Sequence, residues 1–69
     1  MNTSKKIKMA LAFIGMSEAE LARLTGASPQ AFNQRMKTGK WKDKDLEKIA
    51  EAMGCEVAIE FRFPDGTII

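Results

Sequence analysis

Apolar residues recur at helical spacing over the first part of this chain and at alternate positions near its end. Ile7, Ala10, Leu11 and Ile14 stand at i, i+3, i+4, i+7. That stripe predicts an amphipathic helix over about residues 4–15, burying Ile7, Leu11 and Ile14. Leu21 and Leu24 follow within a second helix, expected over about residues 18–25. Phe32 and Met36 lie four apart on the inner side of a third, over about residues 29–37. Leu46, Ile49, Ala50 and Met53 form the stripe of a fourth. It is expected to start after Asp43 as N-cap and to end near Gly54. Beyond Gly54 the period falls to two. Cys55, Val57, Ile59, Phe61 and Phe63 alternate with Glu56, Ala58, Glu60 and Arg62, the pattern of a half-buried strand. Pro64-Asp65-Gly66 reads as a turn, after which Thr67-Ile68-Ile69 can fold back as a short second strand.

Start and stop signals sharpen the middle of this plan. Ser17 followed by Glu20 three residues on is a capping box. Gly26 can take the positive φ that ends a helix. Ser28 suits an N-cap and Pro29 the first helical position, where a missing N–H costs nothing. Two short helices joined by a turn of about three to four residues containing glycine have the sequence form of a helix-turn-helix.

The outer face of the third helix carries the candidate chemistry. Gln30, Asn33, Gln34 and Lys37 share one face, roughly opposite Phe32. Such amides match the N6/N7 edge of adenine in a bidentate way, and lysine suits guanine or a phosphate. The bland alternative is a solvated polar face. The choice of amides over Glu and Lys, and the place of the helix in the pair, favour recognition.

Composition bounds the other classes. The 69 residues make one domain at most, with a formal charge of +2. A core this small is marginal without close helix packing or a second subunit. The charge is unevenly spread: residues 1–42 hold eight basic and two acidic side chains, residues 43–69 three basic and seven acidic. Arg35, Lys37, Lys40 and Lys42 follow directly on the amide face, so a polyanion is drawn there. The lone cysteine, Cys55, excludes a disulfide within the chain and is expected to be a small buried residue in a reducing cytoplasm, the alternative being a redox-sensing thiol. Five methionines without histidine read as core filler rather than as metal ligands. Trp41 is expected to plug the gap between the third and fourth helices, the alternative being a ring lying along a sugar-phosphate edge. The opening MNTSKKIKMALAFIGM reads as a core helix rather than as a secretory leader, because Lys8 interrupts it and no small-residue cleavage site follows. No stretch is long enough to span a bilayer.

A lone two-stranded hairpin is marginal in water, and the open edge of this one invites pairing with another chain. The expected organisation is therefore a helical unit over residues 1–54 and a strand or hairpin tail over 55–69. Two copies would join across a two-fold axis through Val57, Ile59, Phe61, Phe63 and Ile68. A hairpin that only covers its own helices is the alternative.

These residues resemble the Cro/repressor-like, or Xre-type, helix-turn-helix family of phage and mobile-element regulators. The resemblance covers about residues 7–55. It is carried by Leu21-Ala22, Gly26, Ser28, Phe32 and the run LEKIAEAMGC at 46–55. The stretch SPQAFNQRMKTGKWKDKDLEKIAEAMG is similar to the small single-domain members. The resemblance implies a mainly α, four-helix lambda-repressor-like domain with a C-terminal β-strand or hairpin. It also implies that the third helix enters the major groove, with Ser28, Gln30, Asn33 and Gln34 at the bases. Phosphate would be held by Lys37, Lys40, Lys42 and Arg35, and by Ser17 with the N–H groups that open the second helix. Three features depart from the family: Glu18 stands where a glutamine often holds phosphate, Pro29 where some repressors use a base-reading Gln, and after the third helix Met36, not residue 35, takes the inward position with a loop longer by about one residue.

The leading expectation is a cytoplasmic, sequence-specific regulator of transcription that binds double-stranded DNA as a homodimer. The alternative is a protein-interaction module, such as an anti-repressor or antitoxin-like partner, built on the same fold. Enzymatic function is not expected: no histidine, no phosphate-cradling glycine loop and no metal-spaced ligands are visible. Neither a cofactor nor a small-molecule effector is implied.

Overall fold

The structure, a computed structural model, describes residues 2–69. Four helices follow one another: α1 (Thr3–Ile14), α2 (Glu18–Thr25), α3 (Pro29–Thr38) and α4 (Asp43–Met53). The second keeps its expected bounds, and the others differ by a residue or so at their ends. Side-chain caps open three of them. Asn2 Oδ1 accepts from Lys5 N–H at 3.3 Å, Ser17 Oγ from Glu20 N–H at 3.1 Å and Ser28 Oγ from Ala31 N–H at 3.2 Å. Each satisfies one of the donors that a helix start leaves free.

Helix α4 opens differently from the expectation. Lys42, not Asp43, is its N-cap, and a lysine side chain has no acceptor to offer. Asp45 compensates by reaching back, its Oδ2 accepting from Lys42 N–H at 3.0 Å. Asp43 and Asp45 both lie in the first turn, where negative charge meets the positive end of the helix dipole.

The core gathers Ile7 and Leu11 of α1, Leu21 and Ala22 of α2, Phe32 of α3 and Ile49 of α4. Helix α2 packs against both α3 and α4, and α1 against α3. Met36, Trp41, Leu46 and Met53 pack around the buried centre. The inward place of Met36 is as expected. Ile14 is not: it is 41% exposed. The chain turns at Gly15, and Met16 folds under instead, its N–H donating to Leu11 O at 3.0 Å. An apolar residue just past a left-handed cap commonly takes that inner contact. Leu24 is exposed as well, because Ala22 beside Leu21 fills the inner face of α2.

Cys55 is exposed, contrary to the expected buried site. Its N–H closes the end of α4 on Ala50 O at 2.9 Å, and the chain then leaves the core. The regular strand expected over residues 55–63 does not form in the single chain. One antiparallel bridge, Arg62 with Ile68, is present. It is flanked by hydrogen bonds from Phe61 N–H to Ile69 O at 2.7 Å and from Phe63 N–H to Thr67 O at 2.9 Å. A ribbon this short has too few partners to hold a longer ladder. Every residue from 54 to 69 is exposed. The radius of gyration is 13.2 Å, against about 11 Å for a compact chain of this length, which fits an outlying tail.

No helix among the described residues is long and apolar enough to cross a membrane.

Candidate nucleic-acid interface

The geometry of α3 begins with its anchor. Phe32 is 2% exposed and turned wholly inward. The Trp41 ring meets it edge to face, centroids 5.6 Å apart at 66°. The same indole donates from Nε1 to Ser4 Oγ at 3.0 Å. Ser4 is the one buried polar residue of the described chain, and this bond satisfies it. Trp41 thus joins the loop after α3 to α1, and it does not lie free on a surface.

With Phe32 fixed, the rotation of α3 is fixed. At about 100° per residue the centre of the Gln30, Asn33, Gln34 and Lys37 group lies roughly 150° from Phe32. All four are exposed. Among the described residues no hydrogen bond engages the Gln30, Asn33 or Gln34 amides. Each therefore keeps a donor pair and an acceptor for a ligand. Ser28 sits at the head of the same helix with its oxygen accepting from Ala31, and its hydroxyl hydrogen remains able to donate.

The turn before α3 holds this face in place. Gly26 adopts φ 79°, and Ala27 N–H then donates to Ala22 O at 3.1 Å. The chain reverses within Gly26, Ala27 and Ser28, and α2 is left against α3.

The basic residues divide into two groups. Lys37, Lys40 and Lys42 are exposed and unpaired among the described salt bridges. Arg35 is only partly exposed, and its Nη1 approaches Asp45 Oδ1 at 3.9 Å. It turns toward the start of α4, which leaves Lys37, Lys40 and Lys42 as the exposed basic residues of this stretch without an ion pair among the described residues. Ser17 caps α2 beside Glu18 and Glu20, and both carboxylates oppose an anion at that helix start. Asp45 is the residue that sequence reasoning missed. Its place three residues after Lys42 is half of a capping box, and that signal was available.

The tail residues Val57, Ile59, Phe61, Phe63 and Ile68 are all exposed. The Arg62–Ile68 bridge puts Ile68 on the face of Arg62, while Ile69, opposite Phe61, shares the face of the alternating apolar residues. No group of three or more candidate metal ligands occurs among the described residues.

The fold and this face define a small, mainly helical domain whose third helix carries an exposed polar face and is followed in the chain by exposed lysines. Compared with known proteins, the chain matches no family model, and no curated protein or solved structure matches it significantly.

Proposed function

We propose that this chain is a sequence-specific DNA-binding regulator of transcription, of the Cro/repressor-like helix-turn-helix kind. It acts in the cytoplasm as a homodimer. The observation that carries the reading is the amide face of α3. Three amide side chains stand outward, free of the protein's own hydrogen bonds, because Phe32 and Trp41 hold the opposite side down. Placed in a major groove, α3 reads base edges with Gln30, Asn33 and Gln34, and with Ser28 at its head. Lys37, Lys40 and Lys42 meet phosphates, supplying affinity and its salt dependence. Two copies joined through their tails set two such helices about 34 Å apart, matching half-sites one turn of duplex apart.

A mobility-shift assay on the DNA flanking its own gene, run against random duplex, tests this. A complex that survives excess random DNA is the expected result. A second reading, an adaptor that binds another protein, is favoured by the exposed apolar tail. It predicts equal and weak retention of all duplexes.

A further inference from the structure

The tail has one free edge, and its residues specify how a second copy meets it. Phe61 and Phe63 direct their backbone N–H groups toward residues 67–69, with Ile69 N–H returning to Phe61 O at 3.0 Å. Backbone groups alternate sides along a strand. Arg62 therefore presents its own to the opposite edge, and residues 56, 58 and 60 would do the same where the extended chain continues as a strand. No backbone hydrogen bond among the described residues uses residues 56–60, and the chain runs from 56 to 61 without turn or bend. Ile59 and Phe61 are 65% and 68% exposed beside that edge. An extended segment with unused backbone groups is open to a second strand.

We infer that a second copy of this chain fills it, antiparallel, with the two-fold axis passing at Ile59. The inference rests on the dimer part of the function proposed above and adds its register. With the axis at Ile59, Glu56 stands opposite the partner's Arg62 on both sides of the axis. Val57 meets the partner's Phe61, Cys55 the partner's Phe63, and Ile59 its own copy. The odd-numbered residues then meet apolar partners and Glu56 meets Arg62, while Ala58 lies opposite Glu60. The backbone agrees: 56 with 62 and 58 with 60 become the hydrogen-bonded pairs, and in a strand continued from Arg62 these are the residues whose N–H and C=O groups face the free edge.

Neighbouring registers fail on named residues. An axis at Ala58 sets Glu56 against Glu60 twice. An axis at Glu60 sets that carboxylate against its own copy. Moving to Phe61 places Pro64, which has no N–H, opposite Ala58 where the ladder needs a donor. Moving to Val57 runs the ladder into Gly54, whose φ of 73° is not that of a strand. An axis between residues sets apolar side chains against polar ones and turns half the backbone groups away. The register at Ile59 also keeps Arg62 beside Glu60 of its own chain, which its Nη2 already contacts at 3.1 Å.

The test needs no DNA, so its outcome is independent of the base-reading face. Glu56→Arg and Arg62→Glu are purified separately and then mixed. Each alone sets like charges opposite each other twice, and its dimer dissociation constant rises roughly tenfold. In the mixture every pair is complementary, so the heterodimer re-forms with near wild-type affinity by sedimentation. Ile59→Cys in a Cys55→Ser background adds a distance check. A non-hydrogen-bonded pair sets its Cα atoms about 4.5 Å apart, within disulfide reach, and mild oxidation cross-links the dimer. Val57→Cys in that background, about 14 Å from its copy at 3.4 Å per residue, does not cross-link. No preference for the heterodimer, or no Ile59→Cys cross-link, overturns this register while a wild-type dimer still stands. A wild-type chain that stays monomeric at millimolar concentration overturns the pairing and the dimer together.

Discussion

The Trp41 indole bridges two helices that lie far apart in sequence: its edge meets Phe32 of α3, and its Nε1–H reaches Ser4 Oγ of α1 at 3.0 Å. The hydroxyl of Ser4 is buried, so the bond prevents an unsatisfied polar group in the core. Trp41→Phe keeps much of the ring packing and removes the donor. The expected loss is about 1–3 kcal/mol of folding stability. Ser4→Ala made on top of it adds little, because the group left unpaired is then gone. Urea unfolding of the two single variants and the double one checks this. Fully additive losses would show that the two residues act separately.

Gln34 stands on the outer face of α3 with no partner in the protein. Gln34→Ala is expected to weaken binding to the preferred duplex by about 1–3 kcal/mol and to leave random-duplex binding nearly unchanged. Paired titrations on the two duplexes measure the difference. Equal losses on both would remove Gln34 from base reading.

Lys40 and Arg35 make a contrast that the structure creates. Lys40 is free, whereas Arg35 leans on Asp45 at 3.9 Å. Lys40→Ala is expected to weaken binding to all sequences and to lower the slope of log affinity against log salt by about 1. Arg35→Ala is expected to leave that slope close to the wild-type value. A larger slope change for Arg35 than for Lys40 would reverse their roles.

Among the described residues, Asp65 carries the one clear acid–base signature. Its Oδ1 accepts from Thr67 N–H at 2.9 Å, and hydrogen bonding to Thr67 holds its pKa below the ordinary aspartate value. A lowered folded pKa means that the ionised form supports the turn. The contribution is present above the ordinary value, about 3.9, and is lost as pH falls through the lowered one. The Thr67 amide resonance is therefore expected to titrate with a midpoint below 3.9. A midpoint at or above that value would exclude the bond in solution.

Much of the helical part is readable from the residues because each signal has a local cause. Ser17, Ser28 and Gly26 cap or turn the chain by their own chemistry, so α2 and the turn to α3 follow from a few neighbouring letters. The inward Phe32 follows from spacing alone. Ile14 and Cys55 are less legible, since both sit where a glycine sends the chain in a new direction and the next contact depends on tertiary packing. The Trp41–Ser4 bond joins positions 37 residues apart and leaves no periodic trace. The tail shows the opposite case. Its alternation is plain in the letters, yet a regular strand needs a partner edge that one chain does not supply. Among the site residues, the amide face is exposed as its spacing implies, while the approach of Arg35 to Asp45, ten positions later, has no local signal in the letters.

Selection of bound duplexes from a random pool tests the central claim most directly, with the wild type run beside Gln30→Ala/Asn33→Ala/Gln34→Ala. The wild type is predicted to enrich a pseudo-palindrome with half-sites one helical turn apart, and the triple variant to retain DNA at low salt without enriching any sequence. A wild-type chain that holds no duplex at low salt, or enriches none, would contradict the account.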